Sequence, residues 1–285
     1  MRSLLERGHS VVALDVGGDG HRLPLALDAE QQAAVVHVQG DITDPAVMPR
    51  VLDEHEITGI IHLAALQVPF VRADPALGAR VNVLGTVHVL EAARGRELGP
   101  VVYASSIAAY GAGGTLDAGD HPGTLYGVYK RANESTAVRY LADYGVSSIG
   151  LRPHTVYGPG RDQGLTSAPT AAMVAAAKGE AFTIPFGGAL QFQYSADAGE
   201  AFVRASEAGG QGASVHNLDG PVATVEEVIA AIEAAAPEAA GRITTQGDPL
   251  PFPPSVDSTS FEELVGGPTS RPFAEGVAQA IAAFR

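Results

Sequence analysis

The stretch Val101-Val102-Tyr103-Ala104-Ser105-Ser106 decides the fold class of this sequence. Its first four residues are apolar or aromatic, and such a short run predicts a strand that is buried on both faces. The run ends in two hydroxyl side chains. Open α/β sheets place their chemistry beyond the carboxyl ends of such strands, so we expect Ser106 at a functional site on that edge of the sheet.

A second stretch, Tyr126-Gly127-Val128-Tyr129-Lys130, stands at the head of a predicted long helix. A spacing of four places Tyr126 and Lys130 on one helix face, one turn apart. A phenol with a pKa of about 10 is a poor acid-base group at neutral pH, but a neighbouring ammonium favours the phenolate. Tyr126 could then exchange a proton with a substrate hydroxyl whose oxygen also bonds Ser106. On spacing alone, two surface residues of an ordinary helix are the alternative.

In this order, Ser106, Tyr126 and Lys130 resemble the short-chain dehydrogenase/reductase superfamily. The flanking sequence resembles its extended branch, the NAD-dependent epimerase/dehydratase family, because residues 152–160 are close to that family's Arg-Pro-x-x-Val-Tyr-Gly-Pro-Gly. The resemblance implies an α/β fold, a Rossmann-type doubly wound parallel sheet with a small C-terminal substrate lobe. The NAD-binding domain would comprise residues 1–158 and 188–219, and the lobe would comprise residues 159–187 and 220–285.

The sequence begins later than the family pattern does. Residues 2–9 indicate the end of a helix with Gly8 as its stop, and residues 11–14 indicate a strand that leads to Asp15. In the family, a first strand and a turn Gly-x-x-Gly-x-x-Gly precede this helix and hold the cofactor pyrophosphate. Gly17-Gly18-Asp19-Gly20 follows the acidic residue instead, and we interpret it as a loop. We expect a gene start placed too late, with a functional truncation as the alternative.

The resemblance also implies a set of cofactor contacts. Asp15 would accept both hydroxyls of the adenosine ribose and repel a 2′-phosphate, which favours NAD over NADP; a plain turn residue is the alternative. Asn82 would brace the site through backbone contacts, with a surface amide as the alternative. The other expected contacts, from the adenine to the nicotinamide ribose, are Asp41, Ile42, Leu63, Ala64, Ala65, Tyr126, Lys130, Pro153 and Val156.

The residues expected to face the substrate are Gln67, Ser106, His154, Thr155 and Arg161. Leu190 and Gln191 replace an Arg-Asp pair that the family usually has at this point. In sugar-nucleotide epimerases that arginine grips the substrate diphosphate, a task suited to a guanidinium. Its loss weakens the case for a nucleotide sugar, although Arg161 could compensate.

Composition excludes several kinds of partner and site. A net charge of −14 disfavours nucleic-acid and anionic-membrane partners, which need basic patches. With no cysteine and nine scattered histidines, the sequence predicts neither a metal site nor a thiol nucleophile. No apolar run approaches the ~18 residues of a membrane span and no signal peptide is visible, so we expect a cytoplasmic protein.

The sequence therefore predicts NAD-dependent chemistry at a secondary hydroxyl of a sugar, sugar acid or nucleotide sugar, by a dehydrogenase or an epimerase. Tyr126 would take the hydroxyl proton, Ser106 would orient the oxygen, and Lys130 would lower the pKa of the tyrosine and hold the nicotinamide ribose. A dehydratase comes last, because Ile107-Ala108 stand where the family often places Asp-Glu. The alternative from another class is a non-catalytic binding or regulatory protein without a pyrophosphate grip. A homodimer is expected by analogy with the family.

Overall fold

The computed structural model describes residues 1–17, 20, 22–111 and 113–285, so that Gly18 and Asp19 of the predicted loop lie outside the described residues. The strands are β1 Val11–Asp15, β2 Val35–Gln39, β3 Ile61–His62, β4 Val101–Ala104, β5 Ser148–Arg152, β6 Thr155–Tyr157, β7 Phe182–Ile184, β8 Ala189–Tyr194, β9 Ala213–Asn217, β10 Val222–Thr224 and β11 Ile243–Thr245. The α-helices are α1 Arg2–Glu6, α2 Ala29–Ala33, α3 Val47–Glu54, α4 Val68–Ala73, α5 Pro75–Ala79, α6 Gly85–Ala93, α7 Leu125–Tyr144, α8 Ala168–Ala177, α9 Ser195–Ala208, α10 Val225–Ala235, α11 Thr259–Val265 and α12 Phe273–Phe284.

A parallel sheet of β3, β4, β5 and β9, in that order, carries the predicted catalytic residues. Alternate residues of β4 enter two different cores. Val101 packs in a core that includes Leu90 of α6, whereas Val102 packs in a core that includes Phe202 of α9. Helices therefore cover both faces of the sheet, which confirms the predicted doubly wound arrangement and explains why β4 is an apolar run.

Strands β1 and β2 form a separate parallel pair, from Val11 opposite Val35 to Asp15 opposite Gln39. Among the described residues, β1 pairs with β2 alone and β3 pairs with β4 alone. Each of β1 and β3 therefore keeps one edge without a ladder partner. The pair β1–β2 is therefore separate from the sheet of β3, β4, β5 and β9.

Helix α7 begins directly against the turn that follows β4. Thr124 caps the helix, because its hydroxyl accepts a hydrogen bond from the backbone N–H of Gly127 at 3.1 Å. A Cβ atom at Gly127 would lie only 2.0 Å from the carbonyl oxygen of Ala108, so the absence of a side chain permits this approach. The first turn of α7, with Tyr126, is thereby placed next to the chain that leaves β4 at Ser106.

The helical chain from α5 to α6 is interrupted by a π-helical turn, Arg80–Leu84. Asn82 lies in this turn, is almost completely buried, and exchanges two hydrogen bonds with the backbone of Leu66, at 2.7 Å to its nitrogen and 2.8 Å to its oxygen. π turns are often found at functional sites. This one fixes the chain that follows β3.

The C-terminal part of the chain has a core of its own. Phe192 of β8 packs there in one cluster with Met173 of α8 and Ile232 of α10. Strand β8 lies between β6, to which it is parallel, and β10, to which it is antiparallel. The division into two domains that the sequence suggests stays a proposal. It assigns β8 to the first domain, although side chains of β8 pack in the core of the C-terminal part.

Candidate active site

A cavity of about 200 Å³ lies at the carboxyl ends of the main sheet. Its wall comes from the chain that leaves β3, β4 and β5, from α7, and from Phe252 in the C-terminal part. Many residues predicted for the site line it, namely Leu63, Ala65, Gln67, Ser106, Tyr126, Lys130, Pro153, His154, Val156 and Arg161. The fold therefore brings together the catalytic set and much of the expected cofactor and substrate sets; their roles there stay predictions.

Ser106 and Tyr126 present their hydroxyls to the same space. The Oγ atom of Ser106 caps the turn Ile107–Ala109 by accepting a hydrogen bond from the backbone N–H of Ala108 at 3.1 Å. The Ser106 side chain also acts on Tyr126 in the direction that lowers the pKa of the phenol. A single oxygen of a bound alcohol could contact both groups.

Lys130 is buried in the cavity wall, and its Nζ donates a hydrogen bond to the carbonyl oxygen of Ala104 at 2.6 Å. Burial lowers the pKa of Lys130 to about 8, and Glu134, one helical turn later, raises it. An ammonium has three N–H donors. Donors of Lys130 beyond the one used by Ala104 are therefore available to the hydroxyls of a ligand.

The pKa of Tyr126 moves in the direction opposite to the predicted one. Burial raises it, and the opposing effects of Ser106 and of the charge of Arg161 are smaller. Lys130 is not among the groups that shift it, because its Nζ lies 5.5 Å from the centre of the Tyr126 ring and is directed to Ala104. Helical spacing correctly placed the two residues on one face, but it could not indicate where the ammonium points.

Arg161 is a cation whose side-chain partners are neutral. Its Nη1 donates to Oε1 of Gln67 at 3.0 Å and its Nη2 donates to Oγ1 of Thr166 at 3.1 Å. Its Nε is buried without a hydrogen-bond partner among the described residues, and burial lowers the pKa of Arg161. Since the described residues that line the cavity include neither Asp nor Glu, the free donor of Arg161 suits an anionic group.

His154 joins the cavity to the C-terminal part of the chain. Its Nε2 lies 2.8 Å from the carbonyl oxygen of Pro253. Nearby, Oε1 of Gln191 accepts from the backbone N–H of Val256 at 3.1 Å, and Nδ2 of Asn217 donates to the carbonyl oxygen of Asp257 at 2.8 Å. We call residues 252–257 the anchored segment, because the side chains of His154, Gln191 and Asn217 hold its main chain.

The predicted substrate contact of Thr155 is not supported by its position. Thr155 is completely buried and does not line the cavity, and its hydroxyl lies 3.1 Å from Nδ1 of His154. Successive side chains of a strand point to opposite faces. Because the next residue, Val156, is on the cavity side of β6, Thr155 is directed into the protein.

The residues predicted for the adenosine end lie outside this cavity. Asp15 is exposed at the end of β1, and Asp41 is exposed in the turn after β2; each accepts a hydrogen bond from the backbone N–H two residues later. Ala64 is also exposed, whereas Ile42 is buried and packs so closely on α6 that a Cβ atom at Gly85 would lie 2.5 Å from it. Cofactor contacts at these positions, and at Asn82, stay predictions.

Sequence reasoning missed a buried ion pair behind the catalytic residues. Glu134 of α7 accepts two hydrogen bonds of 2.7 Å from Arg152 at the end of β5, and the hydroxyl of Ser105 donates to the same carboxylate. One feature of the sequence could have indicated Glu134: Tyr126, Lys130 and Glu134 follow one another at intervals of four, which places them on one helix face. A Lys and a Glu at that spacing usually form an exposed surface pair, so the interval alone carried little weight.

Residues 1–218 match the family model described as NAD dependent epimerase/dehydratase family. The chain belongs to this family. The match confirms the resemblance recognised from the motifs around Ser106, Tyr126 and Arg152.

Two curated relatives illustrate the range of similarity. The chain is 30% identical to UDP-glucose 4-epimerase from Mycolicibacterium smegmatis, over 99% of the chain and 93% of that enzyme. It is 33% identical to UDP-glucuronate 4-epimerase 3 from Arabidopsis thaliana over 167 residues, which are 55% of the chain and 39% of that protein. The chain thus spans less than half the length of the plant epimerases that it matches.

Two solved structures share the fold over the whole chain. The UDP-glucose 4-epimerase from Thermus thermophilus, solved in complex with NAD, superposes with a TM-score of 0.82 at 25% identity, over 100% of this chain and 94% of that one. The GalE-like L-threonine dehydrogenase from Cupriavidus necator, in its holo form, superposes with a TM-score of 0.85 at 25% identity and the same coverage. In the part of the chain that the structure describes, no helix is both long and apolar enough to cross a bilayer.

Proposed function

We propose that this protein is an NAD-dependent oxidoreductase or epimerase that acts on a secondary hydroxyl of a sugar, sugar acid or nucleotide sugar. The observation that carries the proposal is the convergence of Ser106, Tyr126 and Lys130 on one cavity at the carboxyl ends of the main sheet. This is the edge where open α/β sheets bind their ligands. Two hydroxyls and an amine in one partly enclosed space are suited to proton transfer with an alcohol.

The residues present fit the nicotinamide riboside end of NAD. Leu63 stands 56% exposed at the end of β3 although it is apolar, and it borders the cavity, as expected of a side chain that a flat ring would cover. Lys130 has N–H donors to spare for ribose hydroxyls. At the adenosine end, the exposed carboxylate of Asp15 stands at a strand end, where it could accept from the second ribose.

Bound NAD would supply the acceptor for the hydride that leaves the carbinol carbon. Tyr126 takes the hydroxyl proton, and Ser106 hydrogen-bonds the same oxygen and fixes its direction. Lys130 holds the ligand beside Tyr126, and the charge of Arg161 acts to lower the pKa of the phenol. Because burial raises the pKa of Tyr126, positive charge in the site is needed for deprotonation at neutral pH. An epimerase would return the hydride to the opposite face of the carbonyl carbon.

Arg161 supports an anionic substrate. In the part of the chain that the structure describes, its buried Nε has no partner and no carboxylate lines the cavity to neutralise it. A carboxylate or phosphate of the substrate would satisfy the free donor with a charge-assisted hydrogen bond. The relatives point the same way, since UDP-glucose carries a diphosphate, UDP-glucuronate carries both a diphosphate and a carboxylate, and L-threonine carries a carboxylate.

The test is a screen for NADH formation and for epimerised product with UDP-glucose, UDP-glucuronate, free sugars, sugar acids and L-threonine, together with NAD binding by calorimetry. We expect NAD binding and turnover of at least one anionic alcohol. Tyr126→Phe should abolish turnover and leave NAD affinity nearly unchanged. NAD binding without turnover of any substrate class, or full activity in Tyr126→Phe, would contradict the mechanism. Failure to bind NAD would favour the alternative of a non-catalytic binding protein.

We also propose that the protein forms a homodimer through α7. Leu125, Val128 and Val138 lie along the side of this helix that faces away from the sheet, and all three are exposed. A shallow groove beside Val128, with Pro122 and Ala132 among its lining residues, adds apolar surface to the same side. A second copy of α7 would cover these side chains, as a helix packs on its own symmetry mate in isologous dimers.

A further inference from the structure

Glu134 and Lys130 bind consecutive residues at the end of β4. The Nζ of Lys130 donates to the carbonyl oxygen of Ala104 at 2.6 Å, and the hydroxyl of Ser105 donates to the carboxylate of Glu134. The two helix residues are one turn apart, and both are buried. The ammonium of Lys130 and the carboxylate of Glu134 thus bind the first half of α7 to two consecutive residues at the end of β4.

Arg152 fixes the carboxylate from the other side. Its Nε and Nη2 donate to the two oxygens of Glu134, each at 2.7 Å, and its Nη1 donates to the Tyr110 hydroxyl at 3.2 Å. Tyr110 in turn donates to Oδ1 of Asn217 at 3.1 Å. The position of the Glu134 carboxylate is therefore determined from the ends of β4, β5 and β9 together.

We propose that Glu134 is a positioning residue for the reaction: its fixed, buried carboxylate, one helical turn from Lys130, keeps that residue charged at the cavity wall. The proposal rests on the proposed function, because Lys130 is the group through which Glu134 acts. A purely structural role, in which the ion pair only joins α7 to the sheet, is the competing explanation. The two differ in what happens to the charge of Lys130 when Glu134 is neutralised.

The charged and titratable groups around Lys130 define that difference. Glu134 raises the pKa of Lys130 against the larger, lowering effect of burial, and the net result is about 8. On β3, the pKa of His62 is lowered to about 3 by burial and by Lys130, so this group is neutral near pH 7. On β4, burial and then Glu134 raise the pKa of Tyr103, which also stays neutral. Besides these groups, Arg152 faces Glu134 from β5, and Tyr126 shares the helix face.

Glu134 is therefore the anionic group that supports the charge of Lys130. Without it, the same burial would act on Lys130 with less opposition, and its pKa would fall further below the ordinary value. Lys130 would then lose its proton at a lower pH, and the cavity wall would lose the ammonium that is expected to hold the ligand.

The chain offers a direct measurement, because its sequence contains two lysines, Lys130 and Lys178. Protein grown with [ε-13C]lysine should give two ε-methylene signals, which Lys178→Arg assigns. Lys178 is exposed at the end of α8 and serves as the internal reference. In the wild type, the Lys130 signal should titrate with a midpoint near pH 8.

In Glu134→Gln we expect the Lys130 midpoint to move to lower pH while the reference signal stays in place. Asp143→Asn is the matched control, because it neutralises an exposed carboxylate on the same helix that pairs with Arg139. It should leave both midpoints unchanged. An unchanged Lys130 midpoint in folded Glu134→Gln would overturn the proposal, even if the variant were less stable. If Glu134→Gln does not fold, Glu134→Asp replaces it, because its side chain is shorter by one methylene and withdraws the carboxylate. We expect the Lys130 midpoint to move to lower pH in this variant as well. An unchanged midpoint would contradict the proposal.

Turnover provides the second readout in the NAD-loaded enzyme. Glu134→Gln should lose activity on the alkaline side at a lower pH than the wild type, with a larger effect on kcat than on KM for the alcohol. An alkaline limb identical to that of the wild type would support the purely structural role. Because the lysine titration needs neither NAD nor substrate, it can fail while the proposed function holds, and it can succeed while the screen finds no substrate.

Discussion

Lys130 is buried and Tyr126 is partly buried, and this moves the pKa of each towards its neutral form. The pKa of the amine falls to about 8, and that of the phenol rises. The reaction requires the opposite pair, an ammonium beside a phenolate. Charged neighbours therefore decide whether the site works, and two of them are Glu134, which supports the charge of Lys130, and Arg161, which lowers the pKa of Tyr126.

Arg161→Gln tests the second of these effects at the scale of a single side chain. We expect the KM for an anionic substrate to rise roughly 10- to 100-fold, because hydrogen bonds to charged groups contribute about 1.5–3 kcal/mol. The acid limb of the kcat profile should also move to higher pH, since the charge that lowers the pKa of Tyr126 is lost. Steady-state kinetics over a range of pH, with an anionic and a neutral alcohol, measure both effects.

Arg161→Lys is the control that keeps the charge but loses the planar fork of donors. It should retain the acid limb of the wild type and recover only part of the affinity. Equal losses for anionic and neutral alcohols in Arg161→Gln would show that Arg161 does not recognise the anion.

At the scale of elements, helix α7 organises the site because it meets the sheet without an intervening side chain at Gly127. Its cap at Thr124 and its left-handed end at Gly145 (φ +72°) determine where the helix begins and stops. Tyr126, Lys130 and Glu134 then reach the strand ends at successive turns. Small changes at the start of α7 should therefore affect the chemistry more than their size suggests.

Gly127→Ala is the corresponding element-scale prediction. Ala is up to about 1 kcal/mol better than Gly inside a helix, but the new Cβ would lie 2.0 Å from a backbone oxygen that cannot move aside easily. We expect overpacking of about 1–3 kcal/mol to outweigh the helical preference, and a displaced Tyr126 to reduce kcat on the order of 10²-fold. Urea unfolding and kinetics measure the two effects.

Gly123→Ala is the matched control, because a Cβ atom there would meet nothing within 4 Å. It should leave both stability and kcat close to those of the wild type. If Gly127→Ala were as stable and active as Gly123→Ala, the close approach at Ala108 would have no role in placing Tyr126.

The sequence predicted the elements whose signals are local, and missed those that depend on contacts across the fold. Strand β4, the start of α7 and the strand that ends at Asp15 follow from apolar runs, spacing and caps. The π turn around Asn82 does not, because its helical periodicity resembles that of an ordinary helix and the reason for it lies in Leu66. For the same reason, burial of Tyr126 could not be foreseen, and the direction of its pKa shift was predicted wrongly.

Across the whole molecule, the main sheet and the C-terminal part have separate cores, and the cavity lies beside chain from both. The fold also buries groups that would carry charge in water. His62 is the clearest example, since it is 8% exposed and contacts the Thr86 hydroxyl at 3.1 Å. Such groups make the stability of the entire chain depend on pH.

Acid should therefore destabilise the protein through His62. The unfolded chain binds a proton at this residue below a pKa of about 6.5, whereas the folded chain does so only at about 3. Between these values stability falls as the pH falls, with a slope that approaches about 1.4 kcal/mol per pH unit. Urea unfolding between about pH 7 and about pH 5 should show this slope in the wild type and a shallower one in His62→Gln. The exposed residue His37 provides the control variant His37→Gln, and equal slopes in all three proteins would exclude His62 as the source.

The dimer proposal is tested with two valines of matched exposure. Val138 on α7 is 50% exposed and Val222 on β10 is 51% exposed. We expect Val138→Arg to sediment as a monomer at concentrations where the wild type and Val222→Arg sediment as dimers, because a buried unpaired charge opposes association. A monomeric wild type, or a dimer that Val138→Arg leaves intact, would refute the interface on α7.

The anchored segment also has a practical consequence for protein engineering. His154, Gln191 and Asn217 grip carbonyl and amide groups of the main chain in residues 252–257, whereas Phe252 contributes a side chain to the cavity. The main-chain atoms of the anchored segment thus hold it in place, whereas the Phe252 side chain shapes the cavity. Libraries that vary only position 252 should change the shape of the cavity for larger or smaller alcohols, while the anchored segment keeps its main-chain position.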